Sequence, residues 1–254
     1  MTGLRDPRGL VLPLGLVALA EAGAWVTQFQ SDSLAPPSAV AAAWFAALRD
    51  GSLIAATGQT LACALTGLAA GFGAGLVVGL LIGLFRPLDR LLGVTVEVVR
   101  PIPSVALIPI ALLIYGFGYR MEIWIVAFAT FWPALILTRA AVGGIEPRLL
   151  EVARALQLGV VARIVKIAVP AALPRIFVAL RLAVGVSLIV AVTVEISSNT
   201  IGLGDRMMQA SQALQPATML AYLIWVGALG WALSALMALA QRKLFGPAAN
   251  LEAR

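Results

Sequence analysis

Residues Glu146 to Arg175 read EPRLLEVARALQLGVVARIVKIAVPAALPR. Charges recur through this segment and nowhere else through so long a loop: Glu146, Arg148, Glu151, Arg154, Arg163, Lys166 and Arg175 interleave with Leu149, Leu150, Leu156, Leu158, Ile164 and Ile167. That spacing approximates the 3.6-residue period of an amphipathic helix. Pro170 and Pro174 are expected to break the pattern, because each removes a backbone N–H and crowds the carbonyl one turn back. The segment reads as a pair of surface helices beside a membrane, available to a soluble partner.

The rest of the chain explains why the segment stands out. Of 254 residues, 61% are hydrophobic and 12% charged, and the mean hydropathy is +0.98. A soluble domain is less apolar and carries about twice the charge, so the chain belongs in a bilayer. Its net charge of +6 does not indicate nucleic acid, since the basic residues flank apolar runs instead of clustering on a face. A single cysteine, Cys63, and the absence of histidine exclude an internal disulfide, a Cys/His metal cluster and a histidine general base.

Six apolar runs follow in order: about Gly9–Thr27, Leu53–Phe85, Val94–Phe117, Ile123–Thr138, Ile176–Val194 and Met219–Ala240. Each approaches or exceeds the ~20 residues that span a bilayer. The predicted fold class is therefore all-α, a polytopic membrane protein with six transmembrane helices. Glu21, near the end of the first run, is expected to reach the interface, and Ser38, after Pro36 and Pro37, to cap a short interfacial helix. The second run carries Gly67, Gly71, Gly75, Gly79 and Gly83, one every fourth residue. Overlapping small-xxx-small units give a ridge free of side chains, on which another helix can approach closely.

Arg86 to Arg90 are expected to form a short basic loop. The third run contains Pro101, Pro103 and Pro109, a density that implies a kinked or partly unwound span. Irregular backbone at membrane depth persists where it is buried in protein or lines a cavity. The stretch Arg100 to Pro109, with Pro101, Pro103, Ser104 and Pro109 in it, is thus the first candidate for the wall of a pathway, a purely structural kink being the alternative. Polar residues able to join that wall are few: Gln59, Thr60, Ser104, Thr130, Ser187 and Thr193, each of which could instead bond across helices. Ser197 to Thr218, polar and glycine-marked, is expected as an outward-facing loop, and Glu195, which precedes it at the end of the fifth run, would repel an anionic solute. Two readings stand for it, a local role accepting hydrogen bonds from Ser197–Thr200 or pairing with an arginine, and a gate.

If the amino terminus is cytoplasmic and six spans alternate, fifteen of the eighteen basic residues face the cytoplasm and only Arg49, Arg120 and Arg206 face out. That is a strong positive-inside bias, and it puts both termini and the Glu146–Arg175 segment in the cytoplasm. The two lysines, Lys166 and Lys243, are followed by Ile and Leu. Neither fits the G-x-x-x-x-G-K-[ST] loop that cradles phosphates, so the chain is not expected to hydrolyse ATP.

Glu151-Val-Ala153, with Val169-Pro170 and Ala171-Ala-Leu-Pro174 downstream, resembles the EAA loop of ATP-binding-cassette importer permeases, in which E-A-A is followed by three residues, Gly, nine residues and I-x-L-P. Glu151, Ala153 and Pro170 match that pattern, Val169 replaces the usual Leu, and Gln157 occupies the usual glycine position with Gly159 two residues later. The turn between the two short helices is accordingly expected to be displaced. Further motifs, Leu34-Ala-Pro-Pro-Ser-Ala-Val40, Arg100-Pro-Ile-Pro103, Tyr115-Gly-Phe-Gly118 and Gly202-Leu-Gly204, are similar to those of permeases for nitrate, taurine and aliphatic sulfonates; relatives for thiamine precursors share most of them.

The resemblance implies a type I importer permease fold in a bacterial inner membrane. By its logic Glu151, Ala153, Arg154, Leu156, Gln157, Gly159 and Pro170 dock a cytoplasmic ATPase, present in two copies and binding the ATP and magnesium itself. A second permease copy as homodimer and a periplasmic or lipid-anchored substrate-binding protein complete the assembly, with no cofactor in this chain. The chain divides into an N-terminal transmembrane helix (1–30), a periplasmic interfacial segment (31–56) and a permease core of five helices (57–245) that contains the coupling loop (142–175). A membrane scaffold or receptor that recruits a cytoplasmic partner without moving solute is the reading from another class. An intramembrane enzyme finds few inward catalytic groups here.

Overall fold

The computed structural model describes residues 8–27, 34–146, 148–149, 151 and 155–246, and among these all regular structure is helical. Ala153 and Arg154 of the expected docking segment lie outside them. The elements are α1 (Arg8–Thr27), α2 (Pro37–Arg49), α3 (Ser52–Leu84), α4 (Arg86–Val99), α5 (Ile108–Tyr115), α6 (Tyr119–Gly143), α7 (Val160–Arg163), α8 (Val169–Ser198), α9 (Gly202–Gln212) and α10 (Pro216–Phe245). A single turn of 3-10 helix, Ser104–Leu107, leads into α5, and one π turn, Ile164–Ala168, joins α7 to α8.

Among the described residues, four helices are long and apolar enough to cross a membrane, and the bent pair α4–α5 makes a fifth. α1 carries a shorter apolar stretch, Val11–Val26, with most of its side chains exposed. It is held to α2 by a carboxylate: the Ser38 N–H donates to Glu21 Oε2 at 3.0 Å and the Ser38 hydroxyl to Oε1 at 2.7 Å. The cap of α2 is therefore Pro36, with Pro37 in the first turn, and Ser38 is not the cap its residue type suggested. Glu21 supplies the acceptor from another helix, where a negative charge also suits the helix dipole.

The centre of the bundle is α3 against α6, and glycine sets the distance. A Cβ on Gly67 would stand 2.7 Å from that of Val126; on Gly75, 2.8 Å from Ala134; on Gly79, 2.6 Å from the Leu135 carbonyl; on Gly83, 2.9 Å from Val142. One on Gly71 would overlap the Ala127 carbonyl. Gly58 and Gly73, off the ridge on the same helix, meet nothing within 4 Å. The fourfold spacing thus lets two backbones touch, with dispersion between them replacing side-chain interdigitation.

Around this pair, Ala64, Ile108, Ala111, Met121, Ile125, Val190 and Val194 form a buried cluster toward one end. Ala141, Val142, Ile145, Ala168, Ala172 and Ile176 form another toward the other end. The second cluster roots the π turn and the start of α8 in the bundle.

Three local expectations are corrected. Arg86–Arg90 are the first turn of α4, not a loop, and Asp89 within that turn pairs with Arg139 of α6 at 2.6 Å. The helix is not broken at Pro170 and Pro174: Pro170 sits in the first turn of α8 and Pro174 lies inside it. The π turn immediately upstream is one residue wider than an α turn, which gives the proline ring room. With that turn, the helix runs Ile164–Ser198, 35 residues and ~52 Å, so its first part projects beyond the ~30 Å hydrocarbon layer. The stretch after Ser198, read as a polar loop, contains the helix α9.

Candidate functional site

Three places collect the candidate residues. The first is the segment between α6 and α8. Glu151 is helical and exposed, and Leu149 and Leu156 are 40% and 63% exposed. Gln157 has φ +50°, the left-handed conformation that glycine adopts at least cost. Gly159 is not among the residues with positive φ, and α7 begins just after it. The turn therefore stays at the motif's glycine position and is not displaced to Gly159. Leu156 and Gln157 form it, and the helix restarts at Val160. Pro170 is exposed at the base, next to the buried Ala168 and Ala172.

The second place is the break between α4 and α5. Pro101 and Pro103 each lack an N–H, so the helix stops at Val99 and resumes, as a 3-10 turn, at Ser104. The two parts meet at 83°. Inside the bend lies a cavity of about 430 Å³, walled by Arg100, Ile102 and Ser104 from the break, Phe128, Trp132 and Leu137 from α6, and Val190 from α8, among others. Pro101, Pro103 and Pro109 shape the bend but are exposed and do not line the cavity. Arg100, expected among the cytoplasmic charges, sits at the break and opens onto the cavity. Its guanidinium has no ion-pair or hydrogen-bond partner among the described residues. The indole N–H of Trp132 is closed off from solvent and likewise has no acceptor.

The third place is the end of the bundle where α9 begins. The first N–H groups of any helix lack intrahelical acceptors, and here side chains from two other helices supply them. The Gly202 N–H donates to Gln59 Oε1 at 3.0 Å, Leu203 N–H to Thr60 Oγ1 at 2.9 Å, and Gly204 N–H to Glu195 Oε2 at 2.8 Å. A Cβ on Gly202 would overlap the Glu195 carboxylate, and one on Gly204 would stand 2.7 Å from Glu195 Cβ. Both glycines of the Gly202-Leu-Gly204 motif are thus required for the approach. Beside this, the Asn199 amide donates to Glu122 Oε2 at 2.7 Å, while Asn199 Oδ1 accepts from Gly118 N–H at 2.8 Å and from Thr200 N–H at 3.1 Å.

Glu195 is 1% exposed and holds the start of α9. Neither the Ser197–Thr200 turn nor an arginine supplies its partner among the described residues. Of the six polar residues proposed for a pathway wall, only Ser104 lines the cavity. Gln59 and Thr60 serve α9; Thr130, Ser187 and Thr193 donate to carbonyls of their own helices, at 2.9, 2.8 and 2.7 Å. Sequence reasoning missed Glu122 and Asn199, whose contact joins residues 77 positions apart. The only signal was an acidic residue immediately before an apolar run.

Comparison with known proteins gives these features a context. The family model described as "Binding-protein-dependent transport system inner membrane component" matches residues 71–246. A relative described as an aliphatic sulfonates transport permease, SsuC of Escherichia coli (strain K12), is 33% identical over 219 residues, 86% of this chain and 83% of its own. The bicarbonate transport system permease CmpB of Synechococcus elongatus is 34% identical over 158 residues, 62% of this chain and 57% of its own. Among solved structures, an inward-facing conformation of the MetNI methionine ABC transporter superposes with TM-score 0.69 at 22% identity, covering 75% of this chain and 95% of that one. With the family model covering more than half of the residues and a 33% identical relative covered to 83% of its length, the chain belongs to the binding-protein-dependent transport system inner membrane component family, the permeases of ATP-binding-cassette importers.

Proposed function

We propose that this permease passes a small anion, an alkanesulfonate or a similar oxyanion, through a pathway that the α4–α5 bend lines, driven by a cytoplasmic ATPase docked on the segment between α6 and α8. The observation that carries the docking reading is that segment itself. Exposed leucines, Leu149 and Leu156, alternate with charges around Glu151, while its base is fixed in the bundle by Ala168 and Ala172. An apolar stripe left open on a membrane protein's aqueous side marks a partner's contact, and a rigid base lets the partner's motion reach α8. The positive-inside bias supports a cytoplasmic position for it. Two permease copies, two ATPases and a binding protein that delivers solute on the opposite side complete the reading, with both termini cytoplasmic. The sulfonate and bicarbonate relatives support the anionic class.

The test is charge reversal at Glu151 in the assembled transporter. Glu151→Lys is expected to leave the permease folded and to lower uptake while ATP hydrolysis loses its dependence on liganded binding protein. Wild-type uptake together with wild-type stimulation would remove the segment from the docking role. An exposed charge on a solvated helix face contributes only a few tenths of a kcal/mol to stability, so an effect on coupling is separable from an effect on folding.

A further inference from the structure

The cavity at the bend has a chemistry that the family description does not specify. It lies in the middle of α6, Phe128 to Leu137, away from both polar ends of the bundle. Arg100 is exposed in this single chain, and an arginine within a bent membrane span persists where it faces a water-filled cavity or a partner. Arg100 faces the cavity, and no carboxylate is among the residues lining it. Of the two acids on α4, Glu97, one turn before Arg100, is exposed and forms no ion pair with it among the described residues, and Asp89 is paired with Arg139. Ser104 adds a hydroxyl at the same break, and Ile102, Phe128 and Val190 provide apolar wall. A guanidinium is always charged and its planar fork matches two oxygens of an oxyanion at once. The volume is within the range that encloses a small ligand.

The structure assigns solute selection within the membrane to Arg100: its guanidinium receives the oxyanion head of a small organic anion, Ser104 hydrogen-bonds a remaining oxygen, and the walls at Ile102, Phe128 and Val190 take a short alkyl tail. This rests on the reading of the chain as an anion permease and deepens it, since it places a selective contact in the permease as well as in any delivering protein. The sequence had put Arg100 both among the cytoplasmic charges and at the head of the candidate pathway wall, without assigning it a ligand. The break at Pro101 and Pro103 is what sets it at the edge of the cavity.

The experiment uses the complete transporter, permease with ATPase and binding protein, in proteoliposomes, with ethanesulfonate as the solute. Arg100→Gln is expected to reduce uptake at least tenfold while ATP hydrolysis stimulated by liganded binding protein stays within twofold of wild type. Arg100→Lys, keeping the charge without the fork, is expected to fall between. Ile102→Trp, which adds bulk at the wall and leaves the guanidinium in place, is expected to block uptake as well. Wild-type uptake by either Arg100→Gln or Ile102→Trp overturns the assignment. So does loss of stimulated hydrolysis in step with uptake in Arg100→Gln, since that is what a purely structural role would give. Failure of the wild-type transporter to accumulate ethanesulfonate, nitrate or bicarbonate would instead sink the anion-permease reading itself.

Discussion

Adding one methyl group at Gly79 should separate the two helices on which the bundle is built. The new Cβ would stand 2.6 Å from the Leu135 carbonyl oxygen and 2.9 Å from Thr138 Cβ, against the ~3.5–4.0 Å at which non-bonded carbons are comfortable. The first obstacle is backbone and cannot rotate away, so α3 and α6 must part by roughly 1 Å at that level or bend. Overpacking of this kind costs about 1–3 kcal/mol. Alanine also favours helix over glycine by about 1 kcal/mol, which would mask part of the loss. Gly73→Ala removes that ambiguity: it is the same substitution in the same helix, at a position whose Cβ meets nothing within 4 Å. The propensity gain cancels between the two, leaving the packing cost as their difference. Thermal unfolding in one detergent should therefore rank Gly73→Ala at or above wild type and Gly79→Ala clearly below it. Equal melting temperatures for the two variants would refute the claim that glycine sets the α3–α6 distance.

Three further outcomes follow from the same geometry. Glu195→Ala should destabilise by about 1–3 kcal/mol, because the buried Gly204 N–H loses its acceptor, whereas Glu195→Gln keeps an acceptor there and should melt near wild type with uptake intact; a folded but inactive Gln variant would restore the gating reading. Gln157→Gly should sustain ATP-driven uptake at or above wild type, and Gln157→Val should lower it, since a β-branched residue rarely enters the left-handed region; identical uptake in both would show that the turn's conformation is immaterial. Leu214, with φ +54° and 63% exposed, lies between α9 and α10 in the same left-handed region. Leu214→Gly should raise the melting temperature by relieving roughly 1 kcal/mol of strain, and a fall would contradict that.

Periodicity and charge placement carry most of the architecture. The glycines at every fourth position could mean little other than close packing, and their partner helix was the one thing the spacing left open. Prolines were harder to read, because their effect depends on what lies upstream. At Pro101 and Pro103 the helix stops and turns by 83°, while at Pro170 a π turn absorbs the ring and the helix continues. The difference lies in backbone geometry that no residue type announces. The same holds at Gln157, where a residue without glycine's freedom keeps glycine's conformation because the helices on either side demand a turn there.

The polar residues were the least legible. Thr60 and Gln59 looked like sparse lining for a pathway and Glu195 like a gate or a locally bonded acid, yet all three converge on the first turn of a helix that the sequence read as loop. Contacts of that kind join residues more than a hundred positions apart, as Leu203 and Thr60 do, and depend on which faces the bundle turns inward. Arg100 was legible as part of a proline-rich wall, while the cavity it borders comes from the bend beside it.

The proposed function requires that this chain move solute only when a partner ATPase drives it through the segment between α6 and α8. Accumulation of ethanesulfonate inside proteoliposomes, with ATP supplied on the face that carries residues 146–170, measures it directly. Uptake above the external concentration that requires ATP, the ATPase and the binding protein together is the predicted result. A complex that binds the ATPase stably and hydrolyses ATP, yet accumulates none of the anions offered, would contradict it and leave the chain a membrane scaffold.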